Sequence, residues 1–172
     1  MTPSYVILVD AQDKELGLME KMQAHQEGLL HRAFSVFVIN NNNQMLLQKR
    51  ALEKYHSPGL WTNACCSHPY PNENTLVAAN RRLQEEMGFN CNLKELGSFT
   101  YKTSFDNGLT EHEYDHVFIG NYNGPITVNP EEVDSFKWVS FDEIDEKLIN
   151  NKHEYTFWFQ VAFPLVKGWL AT

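Results

Sequence analysis

The chain of 172 residues has no apolar run approaching the roughly 20 residues that a membrane-spanning helix needs. Its first ten residues, M-T-P-S-Y-V-I-L-V-D, lack a basic opening and a small-residue cleavage pattern, so no export signal is expected. Positive charge is scarce: 14 Lys and Arg stand against 22 Asp and Glu, a net charge of −8. That balance excludes a general nucleic-acid binder, whose footprint is basic. It also means that any anionic ligand must be met by a local cluster of cations. Cysteine is sparse and odd in number. Cys65 and Cys66 are adjacent and poorly placed to bridge each other, and Cys91 stands alone. No disulfide framework is expected, which points to reduced thiols and a cytoplasmic location. There is no internal repeat and no linker-like stretch, so residues 1–172 read as one domain, with length enough for a real core. A hydrophobic content of 42% excludes a disordered chain.

What is present is concentrated between Trp61 and Gly88, W-T-N-A-C-C-S-H-P-Y-P-N-E-N-T-L-V-A-A-N-R-R-L-Q-E-E-M-G. A short polar run carries Cys66 and His68, and an amphipathic helix follows. Leu76, Ala79, Leu83 and Met87 recur at helical spacing as its apolar stripe. Asn72 or Asn74 supplies the N-cap, Glu73 sits near the positive end of the dipole, and Gly88 closes the helix. At about 100° per residue, Arg82 and Glu86 stack on the flank of the stripe, and Arg81 and Glu85 stack nearer the opposite side. Glu86 is thereby the carboxylate aimed at a cleft beside the core. Taken alone, the same pattern also describes a solvated helix face with two i,i+4 ion pairs.

Elsewhere, residues 5–10 form a short apolar run that predicts a strand, residues 11–17 a turn, and residues 20–26 a helical turn. Residues 33–39 and 44–49 read as two strands around the turn Asn40–Asn43. Strands are predicted over 91–103, 110–122 and 133–139. In the second of these, period-2 alternation puts Glu111, Glu113 and Asp115 on one face and His112, Tyr114 and His116 on the other. Three carboxylates on one face repel each other unless a cation or solvent relieves them. Ser140 and Glu143 form a capping box opening a helix to about Ile149. A last helix is predicted over 155–170, with Pro164 as a kink point. Strands and helices intermixed predict an α/β (α+β) fold.

Glu73, Arg81, Leu83, Glu85, Glu86, Gly88 and Phe89 resemble the Nudix box, G-x5-E-x7-R-E-U-x-E-E-x-G-U, where U is aliphatic or aromatic. Two positions depart: Ser67 replaces the first Gly and Arg82 replaces a Glu that helps load hydrolytic metals. The type I isopentenyl-diphosphate isomerases carry Arg there, and W-T-N-A-C-C-S-H-P resembles their W-T-N-x-x-C-x-H-P motif. The resemblance implies a mixed β-sheet sandwiched between helices. It also implies interconversion of isopentenyl and dimethylallyl diphosphate, a proton shift across three carbons. L-H-R-A-F-S around His31, C-S-H-P around His68 and E-H-E around Glu111 match the isomerase pattern too.

By that resemblance His25, His31, His68, Glu111 and Glu113 form a metal site. Imidazole and carboxylate together suit Mn2+ or Zn2+ (or Mg2+) rather than a soft thiolate metal. Glu86, with the Cys66 backbone carbonyl, holds a Mg2+ shared with the substrate diphosphate. Lys21, Arg50, Lys54 and Arg82 are candidate diphosphate contacts, since Arg offers a planar fork and Lys a point charge. Cys66 and Glu113, assisted by Tyr101, are the proton-exchanging groups, and Trp158 steadies the transient cation. Whether Glu113 or Tyr101 delivers the first proton stays open. Each residue also has a plain structural reading: a buried cysteine, a core aromatic, a surface charge. Cys65, His56, His112, His116 and His153 are assigned structural or surface roles. The implied partner is a small isoprenyl diphosphate, with no nucleic acid and no membrane, and with the chain a monomer or a dimer. Two rivals remain: a Nudix hydrolase of nucleoside or other diphosphates, and a catalytically silent metal- or diphosphate-binding module.

Overall fold

The computed structural model describes residues 4–172; the first three residues of the run read for an export signal lie outside it. The described chain forms nine strands and four α-helices. The strands are β1 (Tyr5–Val9), β2 (Glu15–Glu20), β3 (His31–Ile39), β4 (Gln44–Arg50), β5 (Trp61–Thr62), β6 (Cys65–Ser67), β7 (Leu93–Ser104), β8 (Thr110–Asn121) and β9 (Val133–Ser140). The helices are α1 (Lys21–Glu27), α2 (Thr75–Met87), α3 (Phe141–Asn150) and α4 (Phe157–Leu170).

β3 is the centre. It pairs in parallel with β8 along its whole length, from His31 opposite Glu113 to Ile39 opposite Asn121. Its other edge meets β1 at His31, β6 at Phe34–Val36 and β4 only at Ile39. The sheet is therefore mixed. Alternation along β3 supplies two apolar layers. Phe34, Val36 and Val38 join Leu46 and the α2 residues Ala78, Ala79, Leu83 and Met87. Phe37 joins Met45, Leu47, Ile144 of α3, and Phe159, Ala162, Phe163 and Val166 of α4. Burial on both faces explains why β3 reads as a continuous hydrophobic run. Helices cover both faces, as the family resemblance implies.

Several local expectations change. The turn expected over residues 11–17 ends early: Asp10 N–H donates to the Lys14 carbonyl at 3.0 Å, and β2 begins at Glu15. β2 is an edge strand with Leu16 and Leu18 exposed, so burial leaves little pattern to read. The Asn40–Asn43 turn forms, but β3 and β4 pair only at Ile39 and Met45 before diverging, β3 to β8 and β4 to β9. On α2, Leu76 is exposed and Ala78 takes its place in the core. Asn74 is the cap, accepting from Leu76 N at 2.9 Å and Val77 N at 3.2 Å. Gly88 ends the helix at φ 75°. The last helix starts at Phe157, capped by Thr156, and runs on through Pro164.

Candidate active site

Four segments converge on one cleft of ≈ 240 Å³, whose walls include Lys21, His56, Cys66, His68, Glu111, Glu113 and Trp158. The in-register pairing of β3 with β8 sets His31 beside Glu113. α1 brings His25, and the turn after β6 brings His68.

His25, His31, His68 and Glu113 each offer a ligand atom within 4.8 Å of the others, and His25, His56 and Glu111 form an overlapping group. His25 Nδ1 donates to the Lys21 carbonyl at 2.7 Å and His31 Nδ1 to the Leu29 carbonyl at 2.9 Å. In neutral rings those bonds turn both Nε2 lone pairs inward. His31 Nε2 then faces His68 Nε2 at 3.2 Å and Glu113 Oε2 at 3.2 Å, and His68 Nε2 lies 2.6 Å from the same oxygen. His25 Nε2 is buried without a hydrogen-bond partner, and Glu111 Oε2 has only His56 Nε2 beside it at 3.0 Å, poorly aligned for a hydrogen bond. Acceptors facing acceptors in a buried pocket are what a divalent cation satisfies, and the backbone bonds behind the rings are the usual outer support of such ligands. His25, His31, His68 and Glu113 fit a metal, and Glu111 stands in the overlapping group with His25 and His56.

Burial pushes His68 down to about 4 and, aided by Arg50, His56 to about 3. His25 is lowered by burial as well. Burial and the adjacent Glu113 drive Glu111 well above the usual carboxylate range. Burial acts on Glu113 too, but His68 and His31 outweigh it and hold Glu113 well below that range. The pair thus favours a proton on Glu111 and a charge on Glu113. Tyr101 donates to Glu113 Oε1 at 2.5 Å and lies 3.0 Å from Glu111 Oε1.

Cys66 is half-buried and surrounded by polar groups. Trp158 Nε1 donates to its sulfur at 3.1 Å, and its thiol donates to Asn63 Oδ1 at 3.1 Å. Asn63 spends both amide hydrogens on the Val36 and Cys65 carbonyls at 2.9 Å, so its oxygen must face the thiol. Ser35 Oγ lies 3.5 Å from the sulfur and donates to Asp115 Oδ2 at 2.7 Å. Burial, then the Asp115 charge, pushes the thiol up, so it holds its proton at neutral pH.

The basic residues divide. Lys21 lines the cleft over the Tyr55 ring. Arg50 lines the cleft as well, while it donates to the Ser57 carbonyl at 3.2 Å and the His56 carbonyl at 3.1 Å and packs 5.2 Å from the Trp158 ring centre. Lys54 pairs with Glu132. Arg82 pairs with Glu85 at 2.8 Å and Glu86 at 2.9 Å. Glu86, expected to look into the cleft, is 4% exposed and lies beneath Arg82, with Gln48 Nε2 donating to it at 3.1 Å. Tyr101 likewise sits behind Glu113 rather than on the wall.

His112, His116 and His153 stay outside the site; His116 bridges Asp13 at 2.7 Å and Glu95 at 2.5 Å on the outer face of β8. His56, set aside from sequence, is a wall residue: its Nε2 is 3.0 Å from Glu111 Oε2 and its ring stacks on Phe105 at 4.6 Å. Its loop, K-Y-H-S-P-G, has no periodicity that could have revealed this. Asn63, Ser35 and Glu132 were missed as well. Asn63 and Ser35 had a signal, lying inside the W-T-N-A-C-C-S-H-P and L-H-R-A-F-S motifs, and Glu132 had none.

The NUDIX domain family matches residues 29–159. In fold the chain is similar to a MutT protein of Methanosarcina mazei Go1 (TM-score 0.66, 18% identity, 78% of this chain and 91% of that one). It is similar also to a MutT NUDIX hydrolase of Burkholderia pseudomallei (TM-score 0.62, 18% identity, 78% and 96%). In sequence it is 52% identical over 161 residues to isopentenyl-diphosphate Delta-isomerase 2 of Aromatoleum aromaticum, covering 94% of this chain and 85% of the relative. It is 51% identical over 161 residues to the isopentenyl-diphosphate Delta-isomerase of Pectobacterium atrosepticum, covering 94% and 90%. The chain belongs to the Nudix superfamily and, within it, to the type I isopentenyl-diphosphate Delta-isomerases.

Proposed function

We propose that this chain interconverts isopentenyl and dimethylallyl diphosphate, adding a proton at one end of a three-carbon unit and removing one at the other. The observation that carries the reading is the shared cleft: Cys66 of β6 and Glu113 of β8 both line it, with Trp158 bonded to the sulfur. An alkene is a weak base, so its protonation needs a well-aimed acid in a dry site. Glu113 reaches the cleft and Tyr101 stands behind it, which favours Glu113 as the group that meets the terminal carbon and Tyr101 as its proton partner. Positive charge then develops at the tertiary carbon, where the Trp158 π-face is worth about 2 kcal/mol or more when desolvated. Cys66 works at the neighbouring methylene from the other face. At rest the proton sits on Cys66 and the charge on Glu113, so one proton passes from the thiol to the Glu113–Tyr101 pair before the alkene is protonated. The thiolate left behind, of a thiol held so high, is the strong base that takes the methylene proton. One proton is gained and one lost, with no change in redox state.

A divalent ion on His25, His31, His68, Glu111 and Glu113, for which we propose Mn2+ or Zn2+ (or Mg2+), would supply fixed positive charge that orders the carboxylates, and Mg2+ at Glu86 and the Cys66 carbonyl would have to displace Arg82 from Glu86 in order to offset phosphate charge there. Lys21, Lys54 and Arg82 anchor the diphosphate, so that binding energy far from the double bond positions it. Arg50 contributes by holding the 56–57 backbone and packing on Trp158. Free thiols at Cys65, Cys66 and Cys91 fit a reducing compartment, and the cytoplasm is the location we propose. Among the described residues no helix is long and apolar enough to cross a membrane.

Incubation with isopentenyl diphosphate and Mg2+ in deuterated water tests the reading. Deuterium in dimethylallyl diphosphate is the expected result. Phosphate release from nucleoside diphosphates without isomerisation would replace it with the hydrolase reading, and binding without turnover with the silent module.

A further inference from the structure

A carboxylate stands among the cations assigned to the diphosphate. Glu132, in the segment before β9, lines the same cleft as Lys21, Lys54 and Arg82. Its Oε2 pairs with Lys54 Nζ and lies 3.3 Å from Arg82 Nη2. The backbone fixes its place: Glu132 N–H donates to the Asn129 carbonyl at 3.0 Å, and its carbonyl accepts from Ala51 N–H at 3.1 Å. Burial raises its pKa, but Lys54 and Arg82 outweigh that and hold it below the usual carboxylate range, so it is an anion at neutral pH. Its charge also acts on Lys21.

An incoming diphosphate needs the same two cations. Bare diphosphate must displace Glu132 and then face its freed carboxylate in a half-buried cleft, where like charges repel more than in water. A diphosphate carrying a divalent cation has less net charge for the freed carboxylate to repel. We propose that Glu132 is a built-in competitor for the phosphate-binding cations, which makes the cleft favour metal-bound diphosphate over free diphosphate. The inference rests on the diphosphate reading above. Arg82 keeps Glu85 and Glu86 as partners when Glu132 is changed, so the arginine stays in place.

Calorimetric titration with inorganic diphosphate, in EDTA and in Mg2+, tests this on the full chain. Glu132→Gln is expected to tighten binding in EDTA roughly five- to tenfold, the order expected for releasing two partly exposed ion pairs. In Mg2+ the change should be under about twofold. Glu131→Gln, the same charge change on an exposed neighbour, should match wild type in both. Unchanged or weaker binding of Glu132→Gln in EDTA overturns the proposal. So does an equal gain in Glu131→Gln, which would make the effect one of net charge. A loss confined to Mg2+ would make Glu132 a metal ligand instead. Should the glutamine variant unfold before titration, Glu132→Asp, too short to span both cations, must show the same shift in smaller measure or the proposal fails. Absence of binding by wild type in both conditions removes the diphosphate reading itself.

Discussion

Cys65 and Cys66 are neighbours with opposite fates. The alternation of β6 sends Cys65 into the α2 core, fully buried, and Cys66 to the cleft. Cys66→Ala is therefore expected to abolish nearly all turnover with an unchanged circular dichroism spectrum. Cys65→Ala should keep turnover and lose on the order of 1 kcal/mol in a denaturant melt. Equal rates for wild type and Cys66→Ala would remove the cysteine from the mechanism. Trp158→Phe keeps an aromatic face but deletes the N–H that meets the sulfur. Its kcat should fall about tenfold, the cost of one hydrogen bond of about 1–1.5 kcal/mol, with KM little changed. Residue identities at 31, 66, 68, 111 and 113 were open to reading because each sits in a quoted motif, whereas His25 came only with the ligand set that the resemblance implies. His56 and Glu132 were not, since a lone His or Glu in a loop carries no spacing, and only folding shows what it faces.

α2 shows how an element is specified at its ends as much as by its face. The Asn74 cap is expected to contribute about 1 kcal/mol, measured as the loss in Asn74→Ala by urea unfolding. Gly88 matters more. It sits at φ 75°, and a Cβ there would lie 2.3 Å from the Thr127 carbonyl oxygen. Gly88→Ala should cost more than the cap loss, because strain and a backbone clash act together. Both signals were readable, since Asn and Gly at helix ends act locally. The stripe was half readable. Leu76 fitted the helical period but sits in the first turn, beyond the sheet it was expected to cover, and is 40% exposed. β8 was legible because one face is polar and functional, and β2 was not, because an exposed edge strand has no buried face to impose a pattern.

At the scale of the whole molecule the His/Glu cluster ties α1, β3, β8 and the turn after β6 together. Binding to the folded chain alone stabilises it by mass action. Stripping divalent ions with a chelator should lower the thermal unfolding midpoint as well as activity, and Mn2+ or Zn2+ should restore both. An unchanged midpoint and full activity in a verified metal-free preparation would sink the ligand set. The chain's order of residues by itself determined the elements with local causes: the capped helix, the alternating carboxylates of β8, the Asn-rich turn, and the motifs that tie the chain to its family. Only the tertiary structure decided that β3 and β4 part at once, that Glu86 lies under Arg82, that Tyr101 stands behind Glu113, and that Glu132 occupies the cations of the cleft. Periodicity and capping are short-range and act through neighbours in sequence. Which side chain reaches a cavity depends on pairings between segments as far apart as His31 and Glu113, and no local pattern encodes those.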